Sequence, residues 1–290
     1  RRAGQGPAEI RAGEDLSTLA WVEGELRRSL DQCVKALRRW LKESSQHGAS
    51  DVDAVDPALL RSARAPLHQA VGALELVGQP VAAEVLRAAE AALQRLGARP
   101  RGDMADAVQT IERAAFAVLD YVARRVAGKP VGALAMFPQY AAAQALAGVE
   151  RVHPSELWSR DWHWQALEPD PGAVAREPDD SARAEMEALV LVLMRQPGPE
   201  ACVRMGALCA GLAAGGEGRA RTLWQLAAAL YEGQAAGLIE PDVHVKRIAS
   251  RLHALARAAG RGRPEWPDRL ARELLFFCLR ARLRGDASAT

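Results

Sequence analysis

The sequence predicts an all-α protein built from two antiparallel helical bundles. Ala, Leu, Arg and Glu dominate the composition, while aromatic residues make up only 5% of the 290 residues. Ala, Leu, Arg and Glu all favour helices. Apolar residues recur at steps of three and four, and no segment shows the alternating β-branched pattern of a strand. The length suits one large domain or two domains of ordinary size.

The first predicted helix spans residues 17–43 and follows a segment at 1–15 that is predicted to be flexible. Its apolar residues form one continuous stripe, namely Leu19, Val22, Leu26, Leu30, Cys33, Leu37 and Trp40. A helix with such a stripe buries that face against its neighbours. The polar stretch 44–55 predicts a loop after the helix.

The second predicted helix spans residues 57–77 and contains a histidine near its middle. Asp56 is its expected N-cap, and Pro57 occupies the first helical position, where proline is favoured. Pro66 lies inside the helix and lacks a backbone N–H, so it predicts a kink just before His68.

Two further helices, at 80–96 and 103–127, complete a predicted four-helix bundle over residues 16–130. Gly97 is expected to end the first of them, and Asp103 is expected to cap the second. Short connections between amphipathic helices are typical of an antiparallel bundle.

A connector at 131–180 is predicted between the two bundles. It combines a short helix with a tryptophan-rich segment, which is expected to anchor the connector by burying aromatic rings. Its last part, 168–180, is rich in Pro, Asp and Gly and predicts an interior linker. The tryptophans concerned are Trp158, Trp162 and Trp164.

The second bundle is predicted over residues 181–284, with a tail at 285–290. Glycines and prolines separate its helices, as expected for short helix–helix connections. The five predicted helices span 181–196, 199–214, 217–237, 241–259 and 267–283.

Charge and cysteine content exclude several classes of protein. The formal net charge is only +2 and both signs are spread along the chain, so no extended nucleic-acid footprint is expected. The four cysteines lie far apart and predict reduced thiols in a cytoplasmic protein. No secretory signal and no apolar run of membrane-spanning length is present, which predicts no membrane insertion. Motifs for a P-loop, a dinucleotide or zinc are missing, so no cofactor and no metal are expected.

One basic stretch, from Lys246 to Arg263, is expected to be a solvated helix face. The alternative is a surface for an acidic partner such as a receiver domain.

The run LHQAVGA at 67–73 places His68 in mid-helix, with Gly72 four residues later. An exposed imidazole on a rigid helix is a suitable nucleophile for a phosphoryl group. A residue without a side chain one turn further on lets a partner protein approach closely. This run resembles the motif at which histidine-phosphotransfer domains carry phosphate.

The resemblance continues beyond His68. Val77 and Gly78, then Leu86, Ala89 and Glu90, stand at the offsets where such domains have a Leu-Gly pair, core residues and an acidic residue. It implies a phosphotransfer-like four-helix bundle for the first half of the chain.

One position departs from the motif, because Val71 stands where the family usually has Lys. The loss of a charge that stabilises a phosphoryl group lowers the expected transfer activity. Arg61 and Arg64, seven and four residues before His68, are the candidates to supply that charge. Three readings therefore stay open for His68: a phospho-acceptor, part of a docking surface, or no special role. The docking surface is predicted from Arg61, Arg64, Val71, Gly72 and Glu75.

Five runs along residues 16–284 resemble the N-terminal region of chemotaxis-type hybrid histidine kinases from type IV pilus (twitching) systems. They are LAWVEGEL at 19–26, FPQY at 137–140, HPSELW at 153–158, DVHVKR at 242–247 and ELLFFC at 273–278. The resemblance implies a cytoplasmic multidomain kinase with several phosphotransfer domains, a kinase core, and coupling and receiver domains. The same family also includes stand-alone relatives that keep the fold without a phosphorylatable residue.

The sequence therefore supports three functional hypotheses. The first is a signalling module that docks a response-regulator receiver, another pilus-signalling protein or downstream domains of the same kinase. The second is an active phosphorelay domain with phosphate on His68, and the third is a structural spacer. The chain holds no ATP-binding kinase core, so kinase activity would belong to another part of the protein.

Overall fold

The computed structural model describes residues 7–47, 57–98, 103–158, 163–165, 167–168, 170–262 and 264–288. Over these ranges the chain forms ten α-helices, two short 3₁₀ helices and no strand, which confirms the all-α prediction. Two compact units, Arg1–Ser159 and Arg160–Thr290, account for the whole chain. The predicted segment boundaries at 15, 130, 180 and 284 stay predictions.

The first unit contains five α-helices. They are α1 (Pro7–His47), α2 (Pro57–Leu76), α3 (Pro80–Ala98), α4 (Met104–Val126) and α5 (Phe137–Ala147). Short 3₁₀ helices at Ala133–Met136 and Pro154–Leu157 flank α5. The second unit contains α6 (Asp180–Arg195), α7 (Pro199–Gly215), α8 (Gly218–Ala235), α9 (Val243–Ala259) and α10 (Asp268–Ser288).

Several predicted helix ends differ from the structure. Helix α1 begins at Pro7, ten residues before the predicted start, because the residues after Pro7 are mostly helix formers. Helix α3 continues through Gly97 to Ala98, and α10 continues to Ser288. The predicted cap Asp56 lies outside the described residues. Helix α2 passes through Pro66, and the predicted kink stays a prediction.

The cap predicted at the start of α4 is confirmed. Asp103 Oδ1 accepts hydrogen bonds from the backbone N–H groups of Ala105 at 2.9 Å and Asp106 at 3.2 Å. These bonds satisfy two donors that the first turn of a helix leaves without an intrahelical partner.

The apolar stripe of α1 is buried in the core of the first unit, from Leu19 to Trp40. Helix α1 packs against α2 and α4, and α3 packs against α2, α4 and α5. Burying one leucine side chain contributes about 1.5–3 kcal/mol, so this stripe supplies much of the attachment of α1. A phosphotransfer-type arrangement of these helices stays a prediction.

In the second unit, α7 and α8 form the most extensive helix pair, and α6 packs against α7 and α9. Helix α10 packs against α8 and α9. The core between α7 and α8 includes Cys209, Trp224 and Tyr231, all buried.

Residues that precede α6 are bonded to the helices of the second unit. Trp164 Nε1 donates to Asp268 Oδ1 at 2.5 Å, and Thr222 Oγ1 donates to the carbonyl of Gln165 at 2.7 Å. The guanidinium of Arg219 stacks over the Trp164 ring at 5.3 Å, a cation–π contact. Trp164 therefore acts as the aromatic anchor that the sequence predicts, whereas Trp162 lies outside the described residues.

Residues 170–178, called here the docked segment, lie across α7. The backbone N–H of Arg176 donates to the carbonyl of Gly211 at 2.9 Å, and Arg176 Nη1 pairs with Glu185 Oε2 on α6 at 2.7 Å. The stretch predicted as a linker thus packs on its own unit.

Candidate functional site: the His68 face

Helix α2 exposes His68 because its apolar residues take the positions that face the core. Leu67, Ala70 and Leu74 are buried and lie three or four residues apart. His68 follows Leu67 by one residue, so its side chain points away from that stripe and is 73% exposed. The structure therefore places the imidazole of His68 on the exposed side of α2.

Glu90 on α3 is the partner of this imidazole. Its Oε2 lies 3.2 Å from His68 Nδ1, and its Oε1 accepts from Arg64 Nε at 3.0 Å. The carboxylate is buried, whereas the side chains of Arg64 and His68 are largely exposed. With the proton on Nδ1, the ring donates to Glu90 and keeps the lone pair of Nε2 available.

Arg64 is the cation that the structure places beside His68. It sits one helical turn before His68, and one Glu90 carboxylate binds both side chains. The exposed Arg61, another turn back, belongs to the same side of α2. Of the two arginines proposed to replace the missing lysine, Arg64 is thus the one in the His68 contact network.

Gly72 leaves an open surface one turn after His68. A Cβ atom built on Gly72 meets nothing within 4 Å. Glu75, a further turn on, forms an ion pair with Arg87 of α3, and Arg87 also pairs with Glu84 at 3.0 Å. Beyond His68, the surface therefore has no side chain at Gly72, and one turn further on it has the Glu75 carboxylate, which is paired with Arg87.

Val71 does not belong to this surface, which corrects its place in the predicted docking site. It is 4% exposed and lies in the core. The physical reason is its spacing of four residues from Leu67 and three from Leu74, which puts all three on the buried stripe. The His68 face is accordingly defined here by Arg61, Arg64, His68, Gly72 and Glu75.

Sequence reasoning noted Glu90 but did not place it in the site. The signal was its register: Leu86, Glu90 and Leu93 share the inward face of α3, and a lone carboxylate among leucines needs a partner. Which partner it has was not readable from the sequence, because Arg64 and His68 are on another helix.

The four cysteines are free thiols. Burial, with a smaller contribution from Glu112, raises the pKa of Cys33 to about 12, and burial raises the pKa of Cys278 to about 12. Burial likewise raises the pKa of Cys202 and Cys209. Since the thiolate is the reactive form of cysteine, burial disfavours the nucleophilic state of all four thiols.

His153 is buried and caps the 3₁₀ helix Pro154–Leu157, where its Nδ1 accepts from the backbone N–H of Ser155 at 3.1 Å. No cluster of three or more metal-ligating side chains occurs within the described ranges. In that same part of the chain, no helix has the length and apolar character needed to cross a membrane.

Comparison with known proteins identifies one similarity. Residues 171–290 match the family model described as FimL scaffold protein second domain. Comparison with curated proteins and with solved structures gives no match. The match spans α6 to α10 and all but the first residue of the docked segment, and it is to a protein described as a scaffold. The second unit is thus similar to a scaffold domain, and the similarity does not extend to a hybrid histidine kinase.

Proposed function

We propose that this chain is a scaffold module of chemotaxis-like type IV pilus signalling, which binds a signalling protein at the His68 face of its first unit. The similarity of the second unit to a scaffold domain supports an interaction role over a catalytic one. The resemblance of the sequence to pilus-signalling kinases supports the pathway. We further propose a cytoplasmic location and a response-regulator receiver as the partner.

The observation that carries this proposal is the shape and charge of the His68 face. It combines an exposed imidazole, an arginine fixed by a buried carboxylate, and a glycine with no neighbour within 4 Å of a built Cβ. Arg61 is exposed and Arg64, although paired with Glu90, is half-exposed, so the face offers guanidinium groups that suit the acidic surface around a receiver's phosphorylation site. Val71 stands where the family usually has Lys, and its side chain is buried. This position therefore supplies no positive charge beside His68, which favours docking over transfer.

Substitution of Gly72 by Arg is expected to weaken receiver binding by at least tenfold. The new side chain projects into the space that a partner must occupy, while the fold tolerates it because nothing lies within 4 Å of the new Cβ. Titration calorimetry of the whole chain against each purified receiver of the cognate system measures the change in Kd.

Gly24→Arg is the matched control, since Gly24 is likewise a helical glycine, on α1, with nothing within 4 Å of a built Cβ. Both substitutions replace a helical glycine and are expected to raise stability by up to about 1 kcal/mol. Equal binding by the two variants and the unchanged chain would show that the partner docks elsewhere.

The His68–Glu90 contact specifically favours a second candidate, a phosphorelay with phosphate on His68. A carboxylate at Nδ1 orients the ring and keeps Nε2 available as a nucleophile. In this reaction Nε2 attacks the phosphorus of a receiver acyl phosphate, and the aspartate carboxylate leaves. Arg64 is the side chain available to offset the charge of the phosphoryl group.

Incubation with radiolabelled phosphorylated receivers distinguishes the two candidates. Relay predicts acid-labile label on the chain that is lost in His68→Gln. Docking without relay predicts no label on the chain, and binding that His68→Gln retains. We expect the second result. Acid-labile label on the unchanged chain that disappears in His68→Gln would establish relay, and the third candidate, a spacer, predicts neither label nor binding.

A further inference from the structure

Helix α9 is basic along its whole length. Between Val243 and Arg263 the sequence has six Lys or Arg residues and no Asp or Glu. This stretch lies in the second unit and takes no part in the His68 face. Its charge therefore needs its own explanation.

Part of this charge is used inside the unit. Lys246 Nζ donates to the carbonyl of Met194 at 3.2 Å, at the end of α6. Arg251 pairs with the buried carboxylate of Glu273 on α10. Both side chains are half-buried and hold α9 to its neighbouring helices.

The remaining charge lies on the exposed side of α9. Arg247, Ser250, Ala254 and Arg257 are exposed and follow one another at steps of three or four, so they form one line along the helix. Arg261, also exposed, lies two residues beyond the end of the helix. We call these five residues the basic stripe. In the described part of the chain, no ion pair includes any of its three arginines.

We infer that the basic stripe binds an acidic helix of a partner protein. Arg247 and Arg257 are ten residues apart, about 15 Å along the helix axis. Ser250 and Ala254 between them are small, so a second helix can lie close to α9 while its carboxylates reach the arginines at both ends. Arginines at both ends of a strip of small residues are complementary to a helix that has acidic residues at both ends of one face.

A protein partner fits the stripe better than a nucleic acid. Helix α9 has no Phe, Trp or Tyr on which a base could stack. Val243, directly before the stripe, is 55% exposed and offers an apolar contact at its end. Apolar anchors beside arginines are typical of protein–protein interfaces.

The test uses the whole chain and a fluorescein-labelled helical peptide of about 20 residues, with four glutamates on one face over about 20 Å. Arg247→Glu/Arg257→Glu is expected to weaken binding about tenfold or more, because each reversal places like charges opposite one another. Arg204→Glu, on the exposed side of α7, is the matched control and is expected to bind as the unchanged chain does.

A second peptide of identical composition, with its glutamates distributed around all faces, tests the geometry and is expected to bind at least about fivefold more weakly. Equal binding of the two peptides, or equal losses in Arg204→Glu, would overturn the inference. So would tighter binding of duplex DNA or of anionic phospholipid vesicles that the double reversal abolishes. Circular dichroism confirms that the variants keep their helix content.

Discussion

Replacing Gly215 by Ala is expected to destabilise the second unit by about 2–3 kcal/mol and to release the docked segment. The Cβ of the new residue would stand 2.2 Å from the backbone carbonyl oxygen of Arg176 and 3.0 Å from its carbonyl carbon. Both atoms are backbone, so no side-chain rotation relieves the overlap, and overpacking of this kind typically costs 1–3 kcal/mol. Without the docked segment, Gly→Ala would stabilise α7 by up to about 1 kcal/mol. A loss of stability would therefore show that the docked segment lies against Gly215.

Two other glycines of α7 provide the comparison. A Cβ at Gly211 would lie 2.9 Å from the carbonyl oxygen of Val174, and a Cβ at Gly206 has only ordinary contacts from 3.6 Å. The expected order of stability is therefore Gly206→Ala above Gly211→Ala above Gly215→Ala.

Denaturant unfolding measures this order, and hydrogen exchange of residues 170–178 measures the release. Faster exchange there in Gly215→Ala, with Gly206→Ala unchanged, is the expected pattern. A Gly215→Ala variant that is more stable than the unchanged chain would show that the segment does not lie on α7 in solution.

The second large effect is expected from Glu273→Ala, which should destabilise the same unit by about 2–3 kcal/mol. Glu273 is buried and accepts from Arg251 on α9 and from Arg269 Nε at 3.1 Å. Hydrogen bonds to charged groups contribute about 1.5–3 kcal/mol each in buried surroundings. Both arginines are partly exposed and can turn to water once the carboxylate is gone, which keeps the total below the sum of two such bonds.

Arg269→Ala is the control for this prediction. Its side chain is more exposed than that of Arg251, and its loss leaves Glu273 paired with α9. It is therefore expected to cost less than about 1 kcal/mol. Hydrogen exchange of α9 and α10 should rise in Glu273→Ala and stay near normal in Arg269→Ala. Equal costs for the two substitutions would mean that Glu273 does not join α9 to α10.

The all-α class was readable from the sequence because it depends on local properties. Helix propensity and the spacing of Leu19, Leu26 and Leu37 act within a few residues of each other, and their buried face followed directly. The same holds for the Asp103 cap, whose bonds lie within three residues. The predicted helix ends were less accurate. The start of α1 was predicted too late because the apolar stripe on which the prediction depends begins only at Leu19.

The contacts of the candidate site depend on residues that are far apart in sequence. Nothing local to His68 shows that Glu90 lies against it, because that contact requires α3 to pack on α2 in one register. Val71 was assigned to the surface by analogy with a motif, and the stripe formed with Leu67 and Leu74 places it in the core. The burial of one face decides between these two positions.

The sequence by itself determined that this protein is helical, that His68 lies in the middle of a helix, and that the stretch 243–263 has Lys and Arg residues but no Asp or Glu. Only the tertiary structure decided that Glu90 binds both Arg64 and His68, and that residues 170–178 lie on α7. It also divided the basic residues of α9 into those that hold the fold and those that remain exposed. The reason is that helix formation follows from interactions within one or two turns, whereas a buried carboxylate or a bare glycine has a meaning only through the distant residue that packs against it.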